Sequence, residues 1–285
     1  MNAWRHKLRL FGQPSLNPRP RGLTLVELVV TIVLMGILAG GTVAFVVSST
    51  QSYVDTATRN QLSSIGRLTT TQLELAIKNA VPNSIRVSSD GKCIEFLPIA
   101  AVSVFTDAPL LGASAASSSS MTVVSMAGIT DADYAVIYPI DDDDLFGGGT
   151  SSAIASIQSV SGGEITFTGA HTFPGRGPTN RVYFAKGPES FCLVDSNDRI
   201  YRYRSGTYNK QLSQPSPSDV PAVLPSSSPS RAVISSMVEQ FSSTDPFQYV
   251  GAGLRNSGLV RVTLNFTDGD ESMLVEHEIL NNHAP

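Results

Sequence analysis

The sequence predicts an α+β fold: one long N-terminal helix, its first half apolar enough to span a membrane and its second half amphipathic, packed on an antiparallel β-sheet. Three observations carry that expectation. An almost uncharged run covers Leu23–Val47; a helical spacing of apolar residues continues to about residue 80; and from Ser84 onward the periodicity drops to two.

The first 22 residues hold Arg5, Lys7, Arg9, Arg19 and Arg21 and no acid. Without those five, 15 Lys and Arg remain against 24 acids, a balance of −9 for the rest of the chain. A basic head before an apolar run fits the positive-inside rule, with residues 1–22 as a cytoplasmic leader and the C-terminal part on the far side. The acidic remainder lacks the basic patch that a nucleic-acid reader needs, so no nucleic-acid partner is expected.

In Leu23–Val47 the only charged residue is Glu27. Its 25 residues exceed the roughly 20 that a spanning helix needs and the 7–15 of a secretory signal core. A carboxylate on a lipid-embedded helix costs ~2.5–3.5 kcal/mol, and a free amine made by cutting the chain after Gly22 is the nearest candidate to offset it. A plain signal anchor explains the span but neither Gly22 nor Glu27. Gly36, Gly40 and Gly41 lie within this helix, each costing up to about 1 kcal/mol against alanine; close packing in the membrane or a point of unwinding are the two roles open to them.

Residues 48–81 continue as an amphipathic helix. Leu62, Ile65, Leu68, Leu73, Ala76 and Ile77 form its apolar face, and Arg59, Asn60, Ser63, Ser64, Arg67, Thr71, Glu74 and Lys78 its polar one. Val81-Pro82 ends it near Ala80, because proline removes a donor and restricts the residue before it.

Residues 82–285 read as a β-rich domain. Ser84–Ser88 and Cys93–Leu97 flank Asp90-Gly91, a hairpin signal. Gly112–Ser120 reads as a flexible low-complexity loop. Tyr134–Tyr138, Ala153–Val160, Glu164–Thr168, Arg181–Ala185, Ser190–Val194 and Arg199–Tyr203 read as strands, and Gln214–Ser230, rich in Pro and Ser, as a long exposed loop. Gly258–Thr267 and Ser272–Leu280 flank Asp268-Gly269-Asp270 as a last hairpin, with Val260, Val262, Leu264 and Phe266 on a buried face. The two cysteines, Cys93 and Cys192, both fall in strands. An exported domain permits a disulfide between them, closing a loop of about 100 residues worth roughly 4–5 kcal/mol; two buried free thiols are the alternative.

The chemistry of catalysis is missing from the pattern. His6, His171, His277 and His283 show no metal-ligand spacing, and no nucleophile elbow, P-loop or dinucleotide fingerprint is present. The expectation is therefore association without turnover: no enzyme, no cofactor. Asp141, Asp142, Asp143 and Asp144, followed by Gly147–Gly149, are weak candidates for calcium and otherwise a solvated acidic loop. Tyr201, Tyr203 and Tyr208 among Arg199, Arg202 and Arg204 could form a nucleic-acid surface, or an amphipathic strand with solvated arginines.

Gly22, Thr24, Leu25, Glu27 and the apolar helix after them resemble the type IV prepilin signature, a short basic leader ending in glycine before a segment often written FTLxE; Leu23 stands where the family usually has phenylalanine. The resemblance implies a pilin-like fold and cleavage after Gly22 by a membrane-bound prepilin peptidase. Glycine at the cut lets backbone approach a tight site. It further implies N-methylation of Leu23 and a filament core in which Glu27 pairs with the N-terminal amine of a neighbouring subunit. Further patches, Asn79–Arg86, Cys93–Ile99, His171–Pro174, Asn180–Tyr183, Phe191-Cys192, Arg199–Tyr203 and Gly258–Pro285, are similar to MshO-type minor pilins of the mannose-sensitive haemagglutinin (MSHA) pilus, with the J-type minor pseudopilins of type II secretion as near relatives. Partners implied are the membrane, prepilin peptidase, other minor pilins and the major pilin, and the pilus assembly platform. The place implied is the bacterial inner membrane, crossed once, with the C-terminal domain in the periplasm or carried into a pilus.

Overall fold

The computed structural model describes residues 22–112, 118–140, 143–146, 152–194, 198–204, 231–239, 244–251 and 257–281. Residues 1–21 of the leader with His6, residues 113–117, Asp141, Asp142, Gly147–Gly149, Tyr208, the 214–230 stretch and His283 lie outside them. The chain divides into two units, Met1–Val54 and Asp55–Pro285. One helix, α1 (Leu25–Lys78), contributes its first part to the former and the rest to the latter.

In the second unit, α1 buries a single line of residues: Leu62, Gly66, Thr69, Leu73 and Ile77, at steps of four, three, four and four. The apolar face expected from the sequence is rotated slightly. Leu68, counted among the buried residues, is 58% exposed. Gly66 and Thr69 take the line instead. A Cβ on Gly66 would lie 2.9 Å from Met273 Cε, 3.2 Å from Val275 Cγ2 and 3.4 Å from Phe266 Cε2, so the missing side chain sets how closely helix and sheet approach. Thr69 spends its hydroxyl on Ile65 O and Ser235 Oγ, both at 2.8 Å. The helix stops at Lys78, two residues before the expected end, where the chain turns and Ala80 bridges to Pro98.

The strands in chain order are β1 (Arg86–Val87), β2 (Cys93–Phe96), β3 (Ile99–Asp107), β4 (Ser118–Val123), β5 (Tyr134–Val136), β6 (Ile154–Ser161), β7 (Glu164–His171), β8 (Arg181–Ala185), β9 (Glu189–Val194) and β10 (Arg199–Arg204). They continue with β11 (Arg231–Ser236), β12 (Val238–Glu239), β13 (Phe247–Val250), β14 (Gly258–Asp268) and β15 (Glu271–Asn281). A one-turn 3-10 helix (Ile129–Asp131) and a short α2 (Asp143–Phe146) complete the elements. All strand pairings are antiparallel, but they form three bodies rather than one sheet: a five-stranded sheet in the order β1-β2-β9-β10-β11, a four-stranded sheet in which β14 pairs with β12, β13 and β15, and a closed six-stranded barrel β3-β4-β7-β6-β5-β8.

Both hairpins signalled by Asp-Gly are present. Arg86 faces Glu95 across the first, with Gly91 at φ +66°; Asp268 faces Glu271 across the second, with Gly269 at φ +61°. The stretch expected as a loop through Ser120 differs: Ser118–Ser120 open β4, pairing with β7 through Ser118–His171 and Ser120–Thr166. The strands β3, β11, β12 and β13 were not expected from the sequence either.

One core joins α1 to both sheets, through Leu62, Leu73 and Ile77 of the helix, Ile94, Phe96, Phe191 and Ile200 of the first sheet, and Val260, Val262, Leu264 and Phe266 of the second. The four residues of β14 are buried as the alternation predicts. The barrel has its own interior around Phe105, Met121, Ile165, Phe167, Phe173 and Phe184. His171 lies at its edge, its ring 4.6 Å from that of Phe173 and its Nε2 2.8 Å from Ser152 O; burial holds its pKa below the usual value. A further cluster, including Val81, Leu97, Leu145 and Tyr183, ties the outer wall of the barrel to the end of the helix and to β2.

The face of the first sheet away from α1 holds the cysteines. Cys93 and Cys192 are direct partners in the β2–β9 ladder and form a disulfide. Tyr201 and Tyr203 are buried beside it, and the Arg231 guanidinium lies 3.7 Å above the Tyr201 ring. The arginines of β10 are not simply solvated: Arg202 and Arg204 donate from Nε to Glu189 at 2.8 and 2.9 Å. On the same face as the cysteines, Arg86 donates from Nε to Glu95 Oε1 at 2.8 Å and again from its terminal nitrogen, while Ser190 donates to Oε2 at 3.1 Å. Burial pushes the Glu95 carboxyl up to about 7, against the pull of Arg86 and Ser190.

Candidate functional site

The sequence places the chemistry at the start of α1, and the local structure follows from four residues. Gly22, Leu23 and Thr24 are non-helical, and the helix begins at Leu25. Thr24 is the N-cap: its Oγ1 accepts the Glu27 N–H at 3.3 Å, and its carbonyl accepts the Leu28 N–H at 3.1 Å. Thr24-Leu25-Val26-Glu27 is thus a capping-box sequence, a Thr three residues before a Glu. Capping fixes where the helix starts, and so leaves the Gly22–Leu23 bond on non-helical, exposed backbone one residue ahead of the cap. The cap was legible in the Thr-x-x-Glu spacing, a second use of residues read only as part of the leader junction.

Gly22 is exposed, and a Cβ there would meet nothing within 4 Å. Among the described residues nothing requires glycine at that position. Glu27 lies in the first helical turn, where a negative charge is favoured by the N-terminal end of the helix dipole. Its carboxylate makes no hydrogen bond or ion pair among the described residues. The other polar side chains between Leu25 and Val47 are internally satisfied: Thr31 donates to Leu28 O at 2.8 Å and Thr42 to Ala39 O at 2.9 Å. Only Glu27 is left asking for a partner.

Every residue from 22 to 54 is exposed, including Leu25 at 78% and Phe45 at 73%. Such a surface is untenable in water over this length. The helix is long and apolar enough to cross a membrane. Gly36, Gly40 and Gly41 meet nothing within 4 Å, so any close packing they serve is with another molecule.

Residues 17–43 match the family model for the prokaryotic N-terminal methylation motif. No curated protein and no solved structure matches the chain. The methylation motif is type IV prepilin-like and supports a protein of the pilin or pseudopilin type, with prepilin peptidase processing, a pilus assembly context and membrane association as its implications. It covers Gly22, Leu23, Thr24 and Glu27, the residues that the structure brings together at the helix start.

The remaining sequence candidates do not gather around this site. Of the aspartate run, Asp143 and Asp144 open α2, and the Asp144 carboxylate accepts the Ile140 N–H at 2.9 Å, which gives it a structural use. His171 sits in the barrel wall, and His277 lies 3.2 Å from Glu74 of α1. No group of three or more metal-ligating side chains occurs among the described residues.

Proposed function

We propose that this chain is a minor pilin of an MSHA-type pilus. In this reading prepilin peptidase cuts after Gly22, Leu23 becomes the methylated N-terminus, and the subunit enters the filament through α1. The observation that carries the reading is Glu27: the one polar side chain without a hydrogen bond or ion pair in the apolar stretch Leu25–Val47, on a helix capped by Thr24 so that the scissile bond stays outside it. In lipid or in a filament core, the amine of a neighbouring subunit offsets its charge. Removing one member of such a buried pair costs about 3–5 kcal/mol. The Cys93–Cys192 disulfide supports a C-terminal domain facing the oxidising periplasm. The partners are then other minor pilins, the major pilin and the assembly platform, with no cofactor and no turnover by this chain. The same helix start also suits a J-type pseudopilin; loss of protein export with surface pili intact, on deleting the gene, would favour that alternative.

The test is the Glu27→Ala variant together with the mature N-terminus. Expected are normal membrane insertion, a mature chain beginning at methylated Leu23, and filament incorporation reduced at least tenfold in the variant. Wild-type piliation in Glu27→Ala, or a working chain that still begins at Met1, refutes the reading and leaves a signal-anchored periplasmic binding protein or enzyme.

A further inference from the structure

The last strand presents a long open edge. β14 pairs along one side with β12 and β13 and along the other with β15, over eleven residues from Gly258–Asn281 to Asp268–Glu271 without a break in register. Among the described residues no strand pairs with the far side of β15. Its inner side chains are committed to the helix and core: Glu271 to Arg59 at 2.8 Å, Met273 and Val275 against Gly66, His277 to Glu74, and Ile279 in the core. Its outer side chains, Ser272, Leu274, Glu276, Glu278 and Leu280, are all exposed. In an antiparallel ladder, every second residue of such a strand turns its N–H and C=O away from its partner, toward the open side.

Natural edge strands are blunted by charged side chains, lysine above all, by proline, bulges, shortness or a covering element. The charges on the outer face of β15 are Glu276 and Glu278, which repel an acidic strand and attract a basic one. β15 has no lysine, no proline and no bulge, and it is about twice the usual strand length. Leu274 and Leu280 stand on its outer face at 54% and 48% exposure. Elsewhere the same chain removes edges altogether by closing a barrel. The geometry points to β15 as a docking edge for an extended strand of a partner protein, which adds to the β14–β15 sheet and carries an apolar, basic, basic, apolar series at alternate positions on its outer face.

Charge selects that occupant. Glu276 has no ion pair among the described residues, and Glu278 shares Arg261 at 2.9 Å while remaining 56% exposed. A strand added beside them places its outward side chains about 5 Å away, where opposite charges stabilise and like charges destabilise the pair. A second copy of β15 fits poorly. Antiparallel pairing centred on Glu276 sets that residue against its twin and Leu274 against Glu278, and a shift of two residues sets Glu276 against Glu278 in one direction and against Leu274 in the other. Glutamates 276 and 278 therefore work against homodimerisation at this edge and for a basic partner strand. The inference holds whether the chain serves a pilus or a secretion system.

The experiment uses the full chain in detergent micelles and a capped synthetic peptide, Thr-Val-Thr-Lys-Thr-Lys-Thr-Val-Thr, as the probe. Binding is expected to slow amide exchange at least tenfold at alternate residues of β15. Affinity should fall at least tenfold in the double variant Glu276→Lys, Glu278→Lys, and the variant should instead prefer the peptide with glutamate for lysine. A peptide N-methylated on alternate backbone nitrogens, which keeps the side chains but cannot pair, should not bind; this control leaves the protein itself unaltered. Equal binding of methylated and unmethylated peptides, protection falling on another element, no binding at millimolar peptide, or concentration-dependent protection of β15 without peptide would each overturn the proposal.

Discussion

Replacing Arg86 by methionine removes one half of a buried ion pair and leaves the other half in place. Glu95 is 1% exposed and Arg86 7%, so water cannot substitute for the guanidinium. In the wild type, burial raises Glu95 from 4.5 to about 7. A carboxyl raised on folding contributes stability that is complete below its unfolded value and is lost as pH climbs through its folded value. Between those two values the unfolded chain ionises first, so wild-type stability should fall with rising pH from this group and then level off. In Arg86→Met the folded value rises further, because a full charge and its donors are gone, so the variant keeps losing stability above pH 7. At pH 5 the carboxyl is neutral, methionine fills much the same space, and the deficit should be about 1 kcal/mol. At pH 9 it should reach about 3–5 kcal/mol. Urea unfolding of the full chain in detergent, followed by the near-ultraviolet dichroism of its tyrosines at pH 5, 7 and 9, measures it. A deficit that stays constant across that range, or grows toward acid, refutes the reasoning.

Three other perturbations have expected outcomes. Gly66→Val should cost about 2–4 kcal/mol, since its branches meet Met273, Val275 and Phe266 where little room exists, whereas Gly66→Ala should stay within about 1 kcal/mol because the Met273 methyl can move and alanine favours the helix; Met273→Ala should recover at least half of the valine cost in urea midpoints. Reducing Cys93–Cys192, which closes a sequence separation of 99, should lower stability by roughly 4–5 kcal/mol, seen as a shifted urea midpoint with and without reductant. His171 carries a lowered pKa, so the unfolded chain protonates first as pH falls through the usual histidine range, and stability contributed by the barrel is lost toward acid; His171→Gln, which keeps a donor for Ser152 O, should flatten that acid-side slope in the exchange rates of β7 amides.

The helix was legible because its signals are local. An apolar run, a helical spacing and a proline each act over a few residues, and so do the two Asp-Gly hairpins whose turns fix their own register. The phase of the helix was less legible. Leu68 looks like a core residue by chemistry, but the buried line runs through Gly66 and Thr69, a glycine chosen for closeness and a threonine that spends its hydroxyl within the structure. The barrel was not legible as a body. β3 carries Val102 and Val104 outward at 48% and 46% exposure, so the usual inward-apolar rule misleads there. β4 starts in three serines, which read as a linker until Ser118 meets His171 of β7. At the helix start the sequence named Gly22, Leu23 and Glu27 together; the cap is also written there, in the Thr24-x-x-Glu27 spacing, and is missed when those residues are read only as a leader junction.

The disulfide explains how the chain carries a barrel without disturbing the surface on which α1 lies. β2 and β9 are neighbours in the first sheet, paired from Cys93–Cys192 to Phe96–Glu189. The barrel strands, from Ile99 to Ala185, all fall between those two in sequence. An insertion there has to leave and re-enter the sheet at adjacent points, and a long insertion loosens the ladder by the entropy of the loop it opens. The covalent link at the Cys93–Cys192 rung fixes the register of β2 on β9 regardless of what the intervening residues do. Phe96 and Phe191 then stack with ring centres 5.9 Å apart, on the face that meets the helix. Pro98 accepts the Lys186 N–H and Ala80 bridges to Pro98, so the entry and exit of the barrel are tied to each other and to the end of α1. The helix is fixed by the core around Leu62, Leu73 and Ile77, and the barrel is joined to the sheet through the clamped rung and through the cluster of Val81, Leu97, Leu145 and Tyr183. Changes around Phe105, Phe167 and Phe173, in the barrel interior, should therefore leave the position of α1 on its sheets intact, whereas changes at Tyr183 or Leu145, which pack against Val81 and Leu97, should reach the end of the helix.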